Sequence, residues 1–167
     1  MGIQYLNRII RTYASRGVRE LPLRSLKGKT LAVDTSIYLY RYQAEDALIE
    51  NMYLMISLFR HYDITPVFVF DGEPPAEKKE LLAERKRDKE EAKLRWLELE
   101  KELNTVDKND DEDKVNELIE EMDKEKKKFV KISWKDINDV KNLMHAYGVN
   151  IVEAEGEADQ VCAKLVQ

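Results

Sequence analysis

"TPVFVFDG", Thr65 to Gly72, decides how the rest of this 167-residue chain is read. β-Branched and aromatic residues alternate through it and an Asp-Gly pair closes it, the pattern of a short buried strand ending in a tight turn. A second such stretch, "TLAVD" from Thr30 to Asp34, lies upstream, and a third, "VNIVEA" from Val149 to Ala154, lies downstream. Between the first two, the apolar spacing is helical from Thr35 to about Tyr62, with a break near Gln43 to Asp46. "SWKDINDVKNLMHAYG", Ser133 to Gly148, opens with Ser133 and Asp136 at capping-box spacing and closes on glycine, so it is a helix leading into the third strand. Gly156 opens a last helix carrying Ala158, Val161, Cys162 and Leu165. Strands alternating with helices imply right-handed crossovers and a parallel sheet covered on both faces, an α/β fold.

The region from Pro74 to Ser133 does not fit that alternation. It holds two highly charged helical stretches around "NTVDKNDDED", a polar segment without apolar period that reads as flexible. It is taken as an insertion (75–132) within a single domain spanning 1–167, standing off the sheet. The N-terminus repeats Ile3, Leu6, Ile9, Ile10 and Tyr13 at helical spacing, which predicts a helix with an apolar face.

A chain of this length with 43% hydrophobic residues can bury about 70% of its unfolded surface. Its net charge of −5 argues against a general binder of nucleic acid or anionic membrane. The charge is segregated, however. Up to Val33 there are seven cations, Arg8 to Lys29, against Glu20 alone, whereas Glu98 to Glu125 is heavily acidic. Cys162 is the only cysteine, so no intrachain disulfide forms, which suits a reducing compartment. No run approaches the ~20 apolar residues of a membrane span, and no signal-peptide core is present, so an intracellular, membrane-free protein is expected. His61 and His145 lie in amphipathic segments and read as packing residues, as do Trp96 and Trp134.

Asp34 ends the first strand, Asp71 follows the second, and Glu157 and Asp159 follow the third. Ligands of open parallel sheets bind beyond the carboxyl ends of the strands, so these four acids are expected to converge. Each alone has an ordinary explanation as a helix cap, a turn or a first-turn acid. Together they would repel one another unless cations neutralised them. Oxygen ligands suit hard cations, and two Mg²⁺ ions roughly 3.5–4 Å apart can activate water and stabilise the leaving oxygen in phosphodiester hydrolysis. Glu153 and Glu155 are weaker candidates. "GKT" at Gly28 to Thr30 is not a P-loop, because Leu23 occupies the first glycine position and the triplet precedes its strand.

Lys78, Arg85, Lys89 and Lys93 recur on one helical stripe just after Asp71, broadened by Lys79, Lys86 and Arg87. The ordinary reading is a solvated face, but its origin in the acid-bearing loop suits phosphate contacts. Tyr38 and Tyr40 lie one turn beyond Asp34, where one ring could stack on a base and the other pack in the core.

These motifs resemble the N-terminal nuclease region of the flap endonuclease and XPG group of structure-specific 5′ nucleases. The resemblance is carried by "MGIQ", "AVDTSIYLY", "PVFVFDGEPPAEKKELLAERKR" and "GVNIVEAEGEADQVCAKLV", in that order over nearly the whole chain. It implies a PIN-like parallel-sheet core with an inserted helical arch and two Mg²⁺ ions, Mn²⁺ being able to substitute. It implies cleavage of branched or 5′-flap DNA. By position, Asp34, Asp71, Glu157 and Asp159 correspond to metal-site acids, Lys78 and Arg85 to arch residues on the scissile phosphate, and Tyr40 to the base-stacking tyrosine. Gly2 corresponds to the N-terminal glycine near the DNA, with Lys86, Lys89 and Lys93 as further DNA contacts.

Three departures are visible. Asp159 stands where the flap endonucleases carry a longer Glu, the stretch from Arg41 to Ile49 is shorter than the junction-wedging loop, and the later Asp-x-Asp pair is absent. The chain is therefore expected to be an N-terminal fragment lacking the C-terminal strands, inactive alone, with sliding-clamp contact only through a missing tail and self-association through an exposed sheet edge. Work at the site of DNA replication, nuclear or viral, follows from the resemblance. The alternatives are a non-catalytic DNA-binding module and a related RNA-cleaving nuclease.

Overall fold

A computed structural model describes residues 5–105 and 112–166. Strands β1 (Thr30–Asp34), β2 (Thr65–Phe70) and β3 (Asn150–Glu153) form a parallel sheet in the order β1-β2-β3. The register sets Asp34 level with Val69 and Phe70 level with Glu153, so the three carboxyl ends line one rim. The helices are α1 (Leu6–Tyr13), α2 (Thr35–Ala44), α3 (Leu48–His61), α4 (Lys79–Thr105), α5 (Glu112–Lys128), α6 (Trp134–Ala146) and α7 (Ala158–Leu165).

Strand alternation distributes the core. Phe68 and Phe70 of β2 point to one face, where they meet Leu39 of α2, Met52, Met55 and Ile56 of α3, and Val140 and Met144 of α6. Val69 points to the other face and packs on Ala154 and Ala158, beside Val152, Val161 and Cys162. A sheet covered on both faces needs strands apolar on both sides, which is why "PVFVF" reads as a continuous apolar run. Ser133 and Asp136 form the expected capping box at the start of α6, and Gly148 takes a φ of +60° just past its end.

The insertion is a helical pair, α4 packed along α5, with Ala92, Leu99 and Leu118 buried. It leans on the body rather than standing clear of it: α5 touches α2, and the Lys126 ammonium pairs with Asp46. Residues 106–111 of the segment expected to be flexible lie outside the described residues.

Three packing expectations are corrected. Ile9, Ile10 and Tyr13 of α1 are exposed, so the apolar face predicted there is not buried against the described body. His61 and His145 are both exposed, in the last turns of α3 and α6, where an imidazole faces the negative end of the helix. Trp134 is 69% exposed, because the first residue after the cap of α6 points outward. Trp96 does pack, edge-on against Phe129 at 6.3 Å between centroids.

Candidate functional site

The carboxyl rim of the sheet gathers the acids that the sequence singles out. Asp34 has two roles at once. Its Oδ1 accepts from the Ser36 N–H at 3.0 Å, capping α2, while its half-buried carboxyl is part of the rim. Burial raises its pKa above the ordinary carboxylate value, the Ser36 N–H opposes this, and the charges of Asp71 and Asp159 raise it further. Asp71 accepts from the Ala158 N–H at 2.8 Å and from the Ser36 hydroxyl, so it joins the start of α7 to the start of α2. Asp159 is exposed in the first turn of α7. The Cys162 thiol is pushed up by burial first and then by the charges of Asp34, Asp159 and Asp71.

Glu157 is the N-cap residue of α7 but makes no capping bond; its carboxylate is held by the Lys78 ammonium instead. Glu153 turns away from this cluster and pairs with Lys141 at 2.7 Å. Glu155 is exposed. Among the described residues, no three acidic, histidine or cysteine side chains lie close enough to ligate one ion in this arrangement. The donor set is nonetheless oxygen-only and mutually repelling, which in kind fits a hard divalent cation.

The rim is held by backbone. The Gly72 N–H donates to the Gly156 carbonyl at 2.7 Å, the Glu73 N–H to that of Glu155 at 3.2 Å, and the Ala154 N–H to that of Phe70 at 2.9 Å. A β-carbon on Gly72 would lie 2.1 Å from the Ala154 carbonyl oxygen, so only glycine allows the β2 loop to approach the β3 loop this closely. That closeness fixes Asp71 against the start of α7.

The cations at and beyond the start of α4 have different neighbours. Lys78 sits in the short 3₁₀ turn before α4 and is engaged with Glu157. Lys89 donates to the Val130 carbonyl at 3.0 Å and lies 5.0 Å from the centre of the Tyr40 ring, so α4, the α5–α6 link and α2 meet there. Burial lowers the pKa of Lys89, and its neighbours Lys131 and Arg85 lower it further. Lys86 faces a different, shallow depression lined by Glu77, Glu80 and Glu84, and Lys93 is exposed. Tyr38 is packed beside the core with its ring 5.8 Å from that of Tyr42, whereas Tyr40 is 39% exposed. Gly2 lies outside the described residues.

Lys131 was not among the residues expected at the site. Its signal was the lysine run "KEKKKFVK" at Lys124 to Lys131, hidden by the acidic average of the preceding helix. The helical pair is thus basic at its base and acidic along its outer half.

The XPG N-terminal domain matches residues 1–92. The flap endonuclease 1 of Glossina morsitans morsitans is 31% identical, covering 100% of this chain and 44% of the relative. That of Aedes aegypti is 32% identical with the same coverage. The chain therefore spans less than half the length of these relatives. In three dimensions it is similar to the catalytic core of Rad2 in complex with DNA substrate, with a TM-score of 0.63 and 24% identity over 99% of this chain and 42% of that one. A second Rad2 complex with DNA substrate gives 0.62 and 23%, over 95% and 42%. At that identity the likeness describes the fold, and the fold agrees with the sheet and helical insertion above.

Proposed function

Since the chain belongs to the flap endonuclease and XPG family, we propose that it is the N-terminal region of a divalent-metal-dependent, structure-specific nuclease that hydrolyses DNA phosphodiesters. The observation that supports this reading is that Asp34 and Asp71 stand at the carboxyl ends of β1 and β2, with Asp71 bonded to the head of α7, which carries Asp159 beside the Lys78–Glu157 pair. Asp34, Asp71, Glu157 and Asp159 would hold two Mg²⁺ ions, or Mn²⁺ in their place. When bound, the ions supply charge stabilisation on phosphate oxygens and lower the pKa of water.

The chain's own residues do the rest. Asp34 keeps its orientation through the Ser36 N–H, and Asp71 through Ala158. Lys78 and Arg85 hold the phosphate next to the cleaved bond. Lys78 is poised to exchange its bond to Glu157 for a phosphate oxygen, leaving Glu157 free for a cation. Tyr40 stacks on a neighbouring base once Lys89 lifts from its ring. Lys86, Lys89 and Lys93 add contacts to the DNA backbone, and Gly2, outside the described residues, is proposed as a further contact by its match to the family's N-terminal glycine.

The substrate of this reading is branched or 5′-flap DNA, met wherever DNA is replicated, with any sliding clamp bound by residues outside this sequence. Activity of the chain alone is expected to be low, because it spans less than half the length of its relatives and lacks the later Asp-x-Asp pair. That feature also favours a second reading, a DNA-binding module without catalysis. The two separate on a labelled 5′-flap duplex in Mg²⁺. A form extended to the length of the relatives should cut it, the present chain should cut it barely, and Asp34→Ala should abolish cutting by the longer form. Unchanged cutting by that variant rejects the catalytic assignment. The outer edges of β1 and β3 are unpaired by any strand among the described residues, so self-association is also proposed. Light scattering at high concentration tests it, and a monomer mass throughout rejects it.

A further inference from the structure

Trp134 is the largest side chain that the fold leaves in water, and neither the sheet core nor the acid rim uses it. It is also rigidly placed. It is the first residue of α6, directly behind the capping box in which the Ser133 N–H donates to Asp136 at 2.7 Å and the Asp136 N–H donates back to Ser133 at 3.2 Å. The Lys141 ammonium lies 5.9 Å from its ring and 5.0 Å from that of Phe70, the residue before Asp71. The indole therefore stands beside Lys141, which pairs with Glu153, on the face of the sheet that α6 covers.

Its surroundings are cationic. Lys127, Lys131 and Lys135 flank it in sequence, all exposed, and none is in an ion pair among the described residues. Of the acids nearby, Glu125 pairs with Lys128, Glu153 with Lys141 and Asp136 closes the capping box, while Asp139 is exposed on the next turn of α6. A flat apolar ring set among unneutralised lysines matches a polymer that offers flat apolar faces on an anionic backbone. Paired bases in a duplex have no free face to offer a protruding ring, whereas unpaired bases do.

We propose that Trp134 is a stacking platform for an unpaired base of single-stranded nucleic acid, with Lys131 and Lys135 bridging to the adjacent phosphates. For the kind of ligand this rests on the reading of the chain as part of a DNA nuclease. It adds a second aromatic contact, separate from Tyr40.

The test uses the whole chain in EDTA, so that no cleavage is involved. In a Trp96→Phe background the emission of Trp134 is followed during titration with a short oligothymidylate, an abasic deoxyribose-phosphate oligomer of equal length, and vesicles of anionic lipid. Binding is measured in parallel by the anisotropy of the labelled oligothymidylate. Stacking predicts quenching by the oligothymidylate and little by the abasic oligomer. It predicts a Kd raised about tenfold by Trp134→Ala and restored to within about threefold by Trp134→Tyr. An unchanged Kd in Trp134→Ala, or equal quenching by the abasic oligomer or the vesicles, overturns the proposal. Because Trp134 is exposed, an unchanged urea midpoint in Trp134→Ala shows that the fold is intact. Loss of catalysis in the longer form would count against the nuclease reading while leaving this binding result standing, so the two fail separately.

Discussion

Gly72→Ala probes how the acid rim is held together. The added β-carbon would lie 2.1 Å from the Ala154 carbonyl oxygen, 2.6 Å from that of Glu155 and 2.7 Å from the Glu155 carbonyl carbon. All three are main-chain atoms of the segment that leads β3 into α7, so no rotamer change relieves the overlap. Opening the shortest contact to even 3 Å takes a displacement of about 1 Å, of the kind that makes overpacking cost about 1–3 kcal/mol. The same displacement stretches the Gly72 to Gly156 bond of 2.7 Å and the Glu73 to Glu155 bond of 3.2 Å. Losing them removes about 0.5–1.5 kcal/mol each. The expected destabilisation is therefore about 2–6 kcal/mol, a large share of the ~5–15 kcal/mol that holds a domain folded. With a urea slope of about 2 kcal/mol per molar, the midpoint followed by circular dichroism should fall by at least about 1 M. Gly156→Ala is the control, since its β-carbon would meet nothing nearer than 4.0 Å. A Gly72→Ala midpoint within about 0.3 M of the parent would refute the claim that the two loops are locked main chain to main chain.

Other outcomes follow from the same site. The raised pKa of Asp34 means that its charged form is held at a cost, so the stability it contributes is present below the ordinary carboxylate pKa and is lost as pH rises through the folded value. Asp34→Asn should therefore raise the melting temperature at pH 7 without metal, and a lowered one would contradict the assignment. Mg²⁺ at ten times its Kd should stabilise the parent by about 1.4 kcal/mol and the Asp34→Asn variant by much less, read as a melting shift; equal shifts would remove Asp34 from the ion site. Ser133→Ala should cost about 1 kcal/mol through loss of the capping box, checked by thermal melting, and no change would mean that α6 is capped another way.

Much of this was legible in the chain because it is local. Alternation in "TPVFVFDG" and "TLAVD" gives the strands, and Ser133 with Asp136 marks the start of α6. The position of Asp34 and Asp71 at the carboxyl ends of their strands, and of Asp159 in the first turn of α7, also follows from local reading. What could not be read depends on partners far apart along the chain. Lys78 meets Glu157 across 79 positions, and Lys89 finds the Val130 carbonyl across 41. Nothing in the helical period of α4 distinguishes a lysine that turns inward to such a partner from Lys93, which does not. Trp134 illustrates the opposite error. A tryptophan is usually buried for its bulk, but the first residue behind a helix cap faces wherever the cap directs it.

Asp71 is bonded at once to Ser36, at the head of α2, and to Ala158, at the head of α7. Those helices cover opposite faces of the sheet, so one carboxylate works as a rivet through all three layers. Anything that drew its oxygens aside would slacken both sides together. A cation that drew one of those oxygens to itself would free the Ala158 amide locally, detectable as faster hydrogen exchange there, even as its binding stabilised the fold as a whole.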